Sequence, residues 1–186
     1  MIYNLYEAQR RFWGPARAMA GLTVQMLRSA ERFDTLTLPA AATLELFEAN
    51  SLTHDRPDWR IRPVSPTGKE IQIVEEVALD TPFCNLLHFR KASGGRGQPK
   101  VLIVAPISGH FATLLRPTVQ KLLNDHDVYV TDWKNARDVP RNAGRFDLDD
   151  DIALIMDFMR HLGPGANLFA VCQPSPAAVA ATARMA

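Results

Sequence analysis

Apolar positions along the chain change their spacing once, near its middle. Ile2, Leu5, Phe12 and Trp13 fall near one helical face, and Met19, Leu22, Met26 and Leu27 continue the pattern beyond Pro15. A second short helix is expected from about Ala40 to Leu52, and His54–Lys69, with three prolines and several charges, reads as loop. From Glu70 the period becomes two. Ile71, Ile73 and Val77 alternate with polar positions, which predicts a strand, and Phe83–Arg90 is its expected partner.

The next segments read as alternating strands and helices. Ala92–Pro99 carries three glycines and a proline and is expected to turn. Val101–Ala105 is a continuous apolar run, the pattern of a central parallel strand buried on both faces. A helix is expected over about Ala112–Leu123, then a strand over Val128–Trp133. Asp147 is placed to cap the following helix, with Asp150 three residues on in a capping-box position. Ile152, Ile155, Met159 and Leu162 line one face of that helix, and Gly163-Pro164 stops it. Asn167–Val171 is a further short strand, and the alanine-rich stretch from Pro174 is helix-compatible. This order predicts an α/β fold with a mostly parallel sheet and flanking helices. Two segments are expected: a helical accessory part with its loop over 1–69, and the sheet domain over 70–186.

Composition narrows the setting. The 186 residues hold 21 basic and 20 acidic side chains, a balance that gives no footprint for nucleic acid. Glu7, Arg10 and Arg11 interrupt any secretory apolar region, and no apolar run reaches the roughly 20 residues that span a bilayer. Two cysteines, Cys84 and Cys172, are too few for a disulfide scaffold and lack zinc-site spacing. The expectation is a reduced, cytoplasmic protein without transmembrane segment, metal or cofactor.

Ala170-Val171-Cys172-Gln173-Pro174 stands between the last apolar strand and a helix. A nucleophile on such a turn needs small residues two before and two after it, commonly as G-x-S-x-G. Ala170 meets the first need. Pro174 replaces the second glycine and fits the first turn of a helix, where its missing N–H costs little. A thiol at a helix N-terminus lies near backbone N–H groups that favour thiolate. The Gln173 N–H is one expected oxyanion donor. Ile107 or Ser108, in the loop Pro106–His110, is expected to supply the second, with Gly109 easing the turn. Simpler roles are expected elsewhere. Cys84 reads as strand packing, Asp132 as a loop-fixing carboxylate, Arg160 and His161 as complements to a helix dipole. His110 either contacts substrate or anchors its loop.

Five blocks resemble the intracellular polyhydroxybutyrate depolymerase family: Pro106–Arg116, Asp125–Trp133, Gly144–Asp150, Arg160–Pro164 and Ala170–Pro174, with Leu5–Phe12 resembling the family's start. The resemblance implies an α/β-hydrolase-type fold and a cysteine nucleophile at Cys172. It also implies cleavage of polyhydroxyalkanoate polymer at a cytoplasmic granule surface through an acyl-enzyme. That fold orders its triad as nucleophile, acid, histidine. Here all five histidines, His54, His88, His110, His126 and His161, precede Cys172, and no acidic residue follows it. The chain is therefore expected to be an inactive N-terminal part, cut after the nucleophile helix. The alternatives are a polyhydroxyalkanoate synthase-like acyltransferase, which would show a more glycine-rich elbow, and a non-catalytic granule-binding module using the N-terminal helices.

Overall fold

The computed structural model describes residues 2–29, 37–49, 56–66, 68–95, 97–107 and 111–186. They fall into two compact units, Met1–Asp55 and Arg56–Ala186.

The first unit is a helix pair, α1 (Ile2–Ser29) and α2 (Thr37–Ala49). Helix α1 runs unbroken through Pro15, although proline has no N–H to give the preceding turn. Ala20, Val24 and Ala41 are buried. Trp13 meets Phe47 edge-on at 6.3 Å, and Arg28 pairs with Glu45. Leu5, Phe12, Met19, Leu22 and Met26 remain exposed on α1. Among the described residues no helix is long and apolar enough to cross a membrane.

The second unit contains β1 (Ile73–Asp80), β2 (Cys84–Lys91), β3 (Lys100–Val104), α3 (Arg116–Leu122), β4 (Asp127–Trp133), α4 (Leu148–Leu162), β5 (Asn167–Ala170) and α5 (Ser175–Met185). Its strands form one sheet in the order β1-β2-β4-β3-β5. The sheet is mixed, which corrects the expectation of a mostly parallel one. The pairs β1–β2 and β2–β4 are antiparallel, while β3–β4 and β3–β5 are parallel. The short Thr81–Phe83 turn accounts for the first antiparallel pair, because so brief a link cannot carry the chain back for a parallel crossover.

Alternation along β3 builds two cores. Val101 and Ile103 face one side with Leu87, Phe89, Val128 and Val130, under Val119 of α3. Leu102 and Val104 face the other with Leu86 and Tyr129, under Ile155 and Phe158 of α4 and Ala177 and Ala181 of α5. Leu102 and Ile103 are wholly buried, each stabilising the fold by about 2 kcal/mol relative to exposure. Trp59 joins the first core at 1% exposure. Its burial brings residues 56–69, expected to lie in the accessory segment, into the sheet unit, where Val64 also bridges Ile71.

Local signals at the helix ends hold. Asp147 accepts hydrogen bonds from the backbone N–H groups of Asp149 and Asp150, and Asp150 accepts from Asp147 N–H at 2.9 Å. Gly163 closes α4 with a φ of 86°. The helix expected over Ala112–Leu123 instead opens with a 3-10 turn, Ala112–Leu115, ahead of α3.

Candidate active site

The strands β3 and β5 are adjacent and parallel, yet the helices that follow them cover opposite faces of the sheet. α/β sheets commonly bind ligands at the carboxyl ends of strands that diverge in this way. The loop after β3 and the turn after β5 stand at that end.

The turn after β5 holds Cys172. Its φ is +67°, a left-handed conformation found at only one other non-glycine among the described residues, Arg60. A residue with a Cβ occupies this region at a cost of about 1–3 kcal/mol, and such strain concentrates at functional turns. Ser175 N–H donates to the Cys172 carbonyl at 3.1 Å, closing the turn. Pro174 caps α5 in helical conformation, with its carbonyl accepting from Ala178 N–H at 3.0 Å. It therefore stands at the cap, one step before the first turn in which it was expected. The thiol is exposed at the crest of the bend.

The loop after β3 is tied down by side chains of β4 and of the elbow. Ala105 N–H donates to the Thr131 hydroxyl at 2.8 Å, and Ala105 carbonyl accepts from the Trp133 indole at 2.8 Å. Ile107 N–H donates to the Gln173 side-chain carbonyl at 2.8 Å. Ile107 and Gln173, both expected as oxyanion-hole residues, are thus brought together, but the Ile107 donor is occupied by the Gln173 side chain. Ser108, Gly109 and His110 lie outside the described residues. The anchoring by Thr131 and Trp133 was not foreseen. A polar Thr-Asp-Trp run closing an otherwise apolar strand was the available signal.

Other candidates take structural places. Cys84 is wholly buried in β2, and burial pushes its thiol well above its ordinary pKa. Asp132 is buried beside Arg56, with Nε to Oδ2 at 3.5 Å. Burial raises its carboxyl above the usual range, opposed by the Arg56 charge. The pair links Arg56, at the start of the sheet unit, to β4. Asp151 is buried in the first turn of α4, with one carboxylate oxygen unpartnered among the described residues. Burial alone raises its pKa.

No described histidine reaches the elbow. His88 spans Glu76 at 2.9 Å and Asp127 at 2.7 Å and stacks on Tyr129. Asp127 opens β4, so this cluster lies at the amino ends of the parallel strands, opposite Cys172. His126 immediately precedes β4, and His161 lies in the last turn of α4, which leads into the amino end of β5. Arg160 pairs with Asp157 at 2.7 Å. His54 lies outside the described residues. An open cleft of about 830 Å³ adjoins His88, Lys91, Lys100 and Asp127 at that same end. Its two lysines donate to the carbonyls of His126 and Leu162, which satisfies the ends of the α3–β4 turn and of α4. Among the described residues no group of three or more histidine, cysteine or acidic side chains is set to hold a metal. No family model, curated protein or solved structure matches the chain.

Proposed function

We propose that this chain carries the nucleophile of a cysteine esterase of α/β-hydrolase type, with polyhydroxyalkanoate as its substrate class. The observation that carries the reading is Cys172: an exposed cysteine at positive φ, on a strand–turn–helix bend, at the carboxyl end of β5 beside the parallel β3. A nucleophile elbow gives a physical reason to hold a cysteine there, whereas packing alone would favour a buried thiol and relaxed backbone. The polyester substrate rests on the sequence blocks that resemble polyhydroxybutyrate depolymerases.

In this reading Cys172 attacks the ester carbonyl and forms a thioester while the alcohol departs. Water then releases the hydroxyacid once a base activates it. The described histidines lie at the far end of the sheet from Cys172. With no described histidine at the elbow, the reaction should acylate Cys172 and then stall at the thioester. Incubation with p-nitrophenyl 3-hydroxybutyrate should release one equivalent of nitrophenolate and leave a thioester that peptide mapping assigns to Cys172. Absence of acylation at Cys172 refutes the esterase reading. Steady turnover that vanishes in Cys172→Ala refutes only the stall. The synthase-like alternative predicts polymer growth from a hydroxyacyl-thioester, whereas the hydrolase shortens polymer.

A second reading draws on the exposed apolar residues of α1. Leu5, Phe12, Met19 and Met26 recur every seven residues and share one side of the helix. That stripe suits adsorption to an apolar polymer surface. Binding to polyhydroxybutyrate granules that survives Cys172→Ala but is lost in Phe12→Glu/Met19→Glu supports a binding module.

A further inference from the structure

Resting on the cysteine-esterase reading, we propose that the side chain of Gln173 gates the oxyanion site by occupying the Ile107 N–H until a substrate oxygen displaces it. The primary amide carbonyl of Gln173 lies 2.8 Å from Ile107 N, across 66 residues of sequence. An amide carbonyl oxygen is a neutral acceptor, as an ester carbonyl oxygen is. The side chain thus holds, within its own protein, the donor that a substrate oxygen next to Cys172 requires.

Two features separate gating from simple support of the loop. First, Gln173 is not the loop's only anchor, because both backbone groups of Ala105 are also bound, to Thr131 and to Trp133. Second, Gln173 is exposed, so its side chain can leave into solvent without opening a cavity. The exchange is also selective. A neutral ester carbonyl offers Ile107 nothing better than the amide it replaces, whereas the oxyanion of a tetrahedral intermediate forms a charge-assisted bond of roughly twice the strength. The donor is therefore delivered mainly when charge develops, which is where stabilisation accelerates a reaction.

The test compares two reactions of the same thiol in the whole chain. In acylation by p-nitrophenyl 3-hydroxybutyrate, the Cys172 sulfur forms a bond to the carbonyl carbon and the carbonyl π pair moves onto oxygen. The intermediate then collapses, expelling p-nitrophenolate, and the thiol proton passes to buffer. In alkylation by iodoacetamide, sulfur displaces iodide at a saturated carbon and no oxyanion forms. The ratio of the two rates reports the oxyanion site, with thiol access and reactivity cancelled. Gln173→Met removes the competing acceptor at similar size and should raise the ratio about three- to tenfold, the worth of one hydrogen bond no longer displaced. Gln173→Glu keeps an acceptor at the same reach with added charge and should lower the ratio below wild type. A ratio that is unchanged or lower in Gln173→Met overturns the gate while leaving the esterase reading intact. Alkylation of Cys172 without acylation in every variant overturns the esterase reading and the gate with it.

Discussion

Replacing Thr131 by valine tests how the loop beside the elbow is held. The two side chains have nearly the same shape, so the change removes a hydroxyl without opening a void. Thr131 and Ala105 are both wholly buried, and the Ala105 N–H donates to the hydroxyl at 2.8 Å. With valine there, the N–H keeps its burial and loses its partner. An unsatisfied buried donor costs about 1–3 kcal/mol, against which the relief of no longer burying a hydroxyl is small. A net loss of about 2 kcal/mol corresponds to a fall in Tm of roughly 5–10 °C for a unit of this size. Urea unfolding followed by circular dichroism measures the loss directly, with the slope against urea unchanged. Thr131→Ser keeps the acceptor and should recover most of the difference, since what it gives up is a single methyl group. The consequence should extend to Cys172: with Ala105 released, acylation slows while alkylation by iodoacetamide does not. A valine variant as stable as the wild type, with its acylation rate intact, would refute the claim that this bond holds the loop.

Three further outcomes follow from the same structure. Asp147→Ala removes the cap of α4 and should cost about 1 kcal/mol in urea unfolding, most of it restored by Asp147→Asn. Asp151→Asn should raise the midpoint at pH 7. Burial holds the folded-state pKa of this carboxyl above its ordinary 3.8, so the folded state binds the proton more tightly than the unfolded one. Its contribution is complete below 3.8 and is lost as pH rises through the folded value, and the variant should show a flatter profile over that window. Phe169→Lys should reduce self-association measured by light scattering. The residue is partly exposed on β5, the strand at the edge of the sheet among the described residues, and charge on an edge strand opposes pairing with another chain.

Much of the strand–bend–helix around Cys172 is legible in the sequence. An apolar run, a small residue, a cysteine and a proline that can start a helix together specify a strand, a bend and a helix, whatever surrounds them. The Asp147 box and the Gly163 stop were equally legible, because caps and stops are satisfied within a few residues of chain. What stayed hidden were bonds between segments far apart in sequence. Nothing in the order of residues 101–107 indicates that Ala105 is held by Thr131 and Trp133. Nor does the order show that the side chain of Gln173, expected only to offer its backbone N–H, takes up the Ile107 donor.

The chain's own pattern determined which segments are strands and helices, where α4 begins and ends, and which cysteine sits on a bend. These are local consequences of side-chain periodicity and of the conformations that glycine, proline and aspartate favour. Only tertiary structure decided the antiparallel pairing of β2 with β4, the membership of Trp59 in the sheet core, and the placing of the described histidines at the end of the sheet away from Cys172. Strand order and register arise from the burial of two apolar faces at once. That is a condition on the whole unit, and no short stretch of sequence carries it.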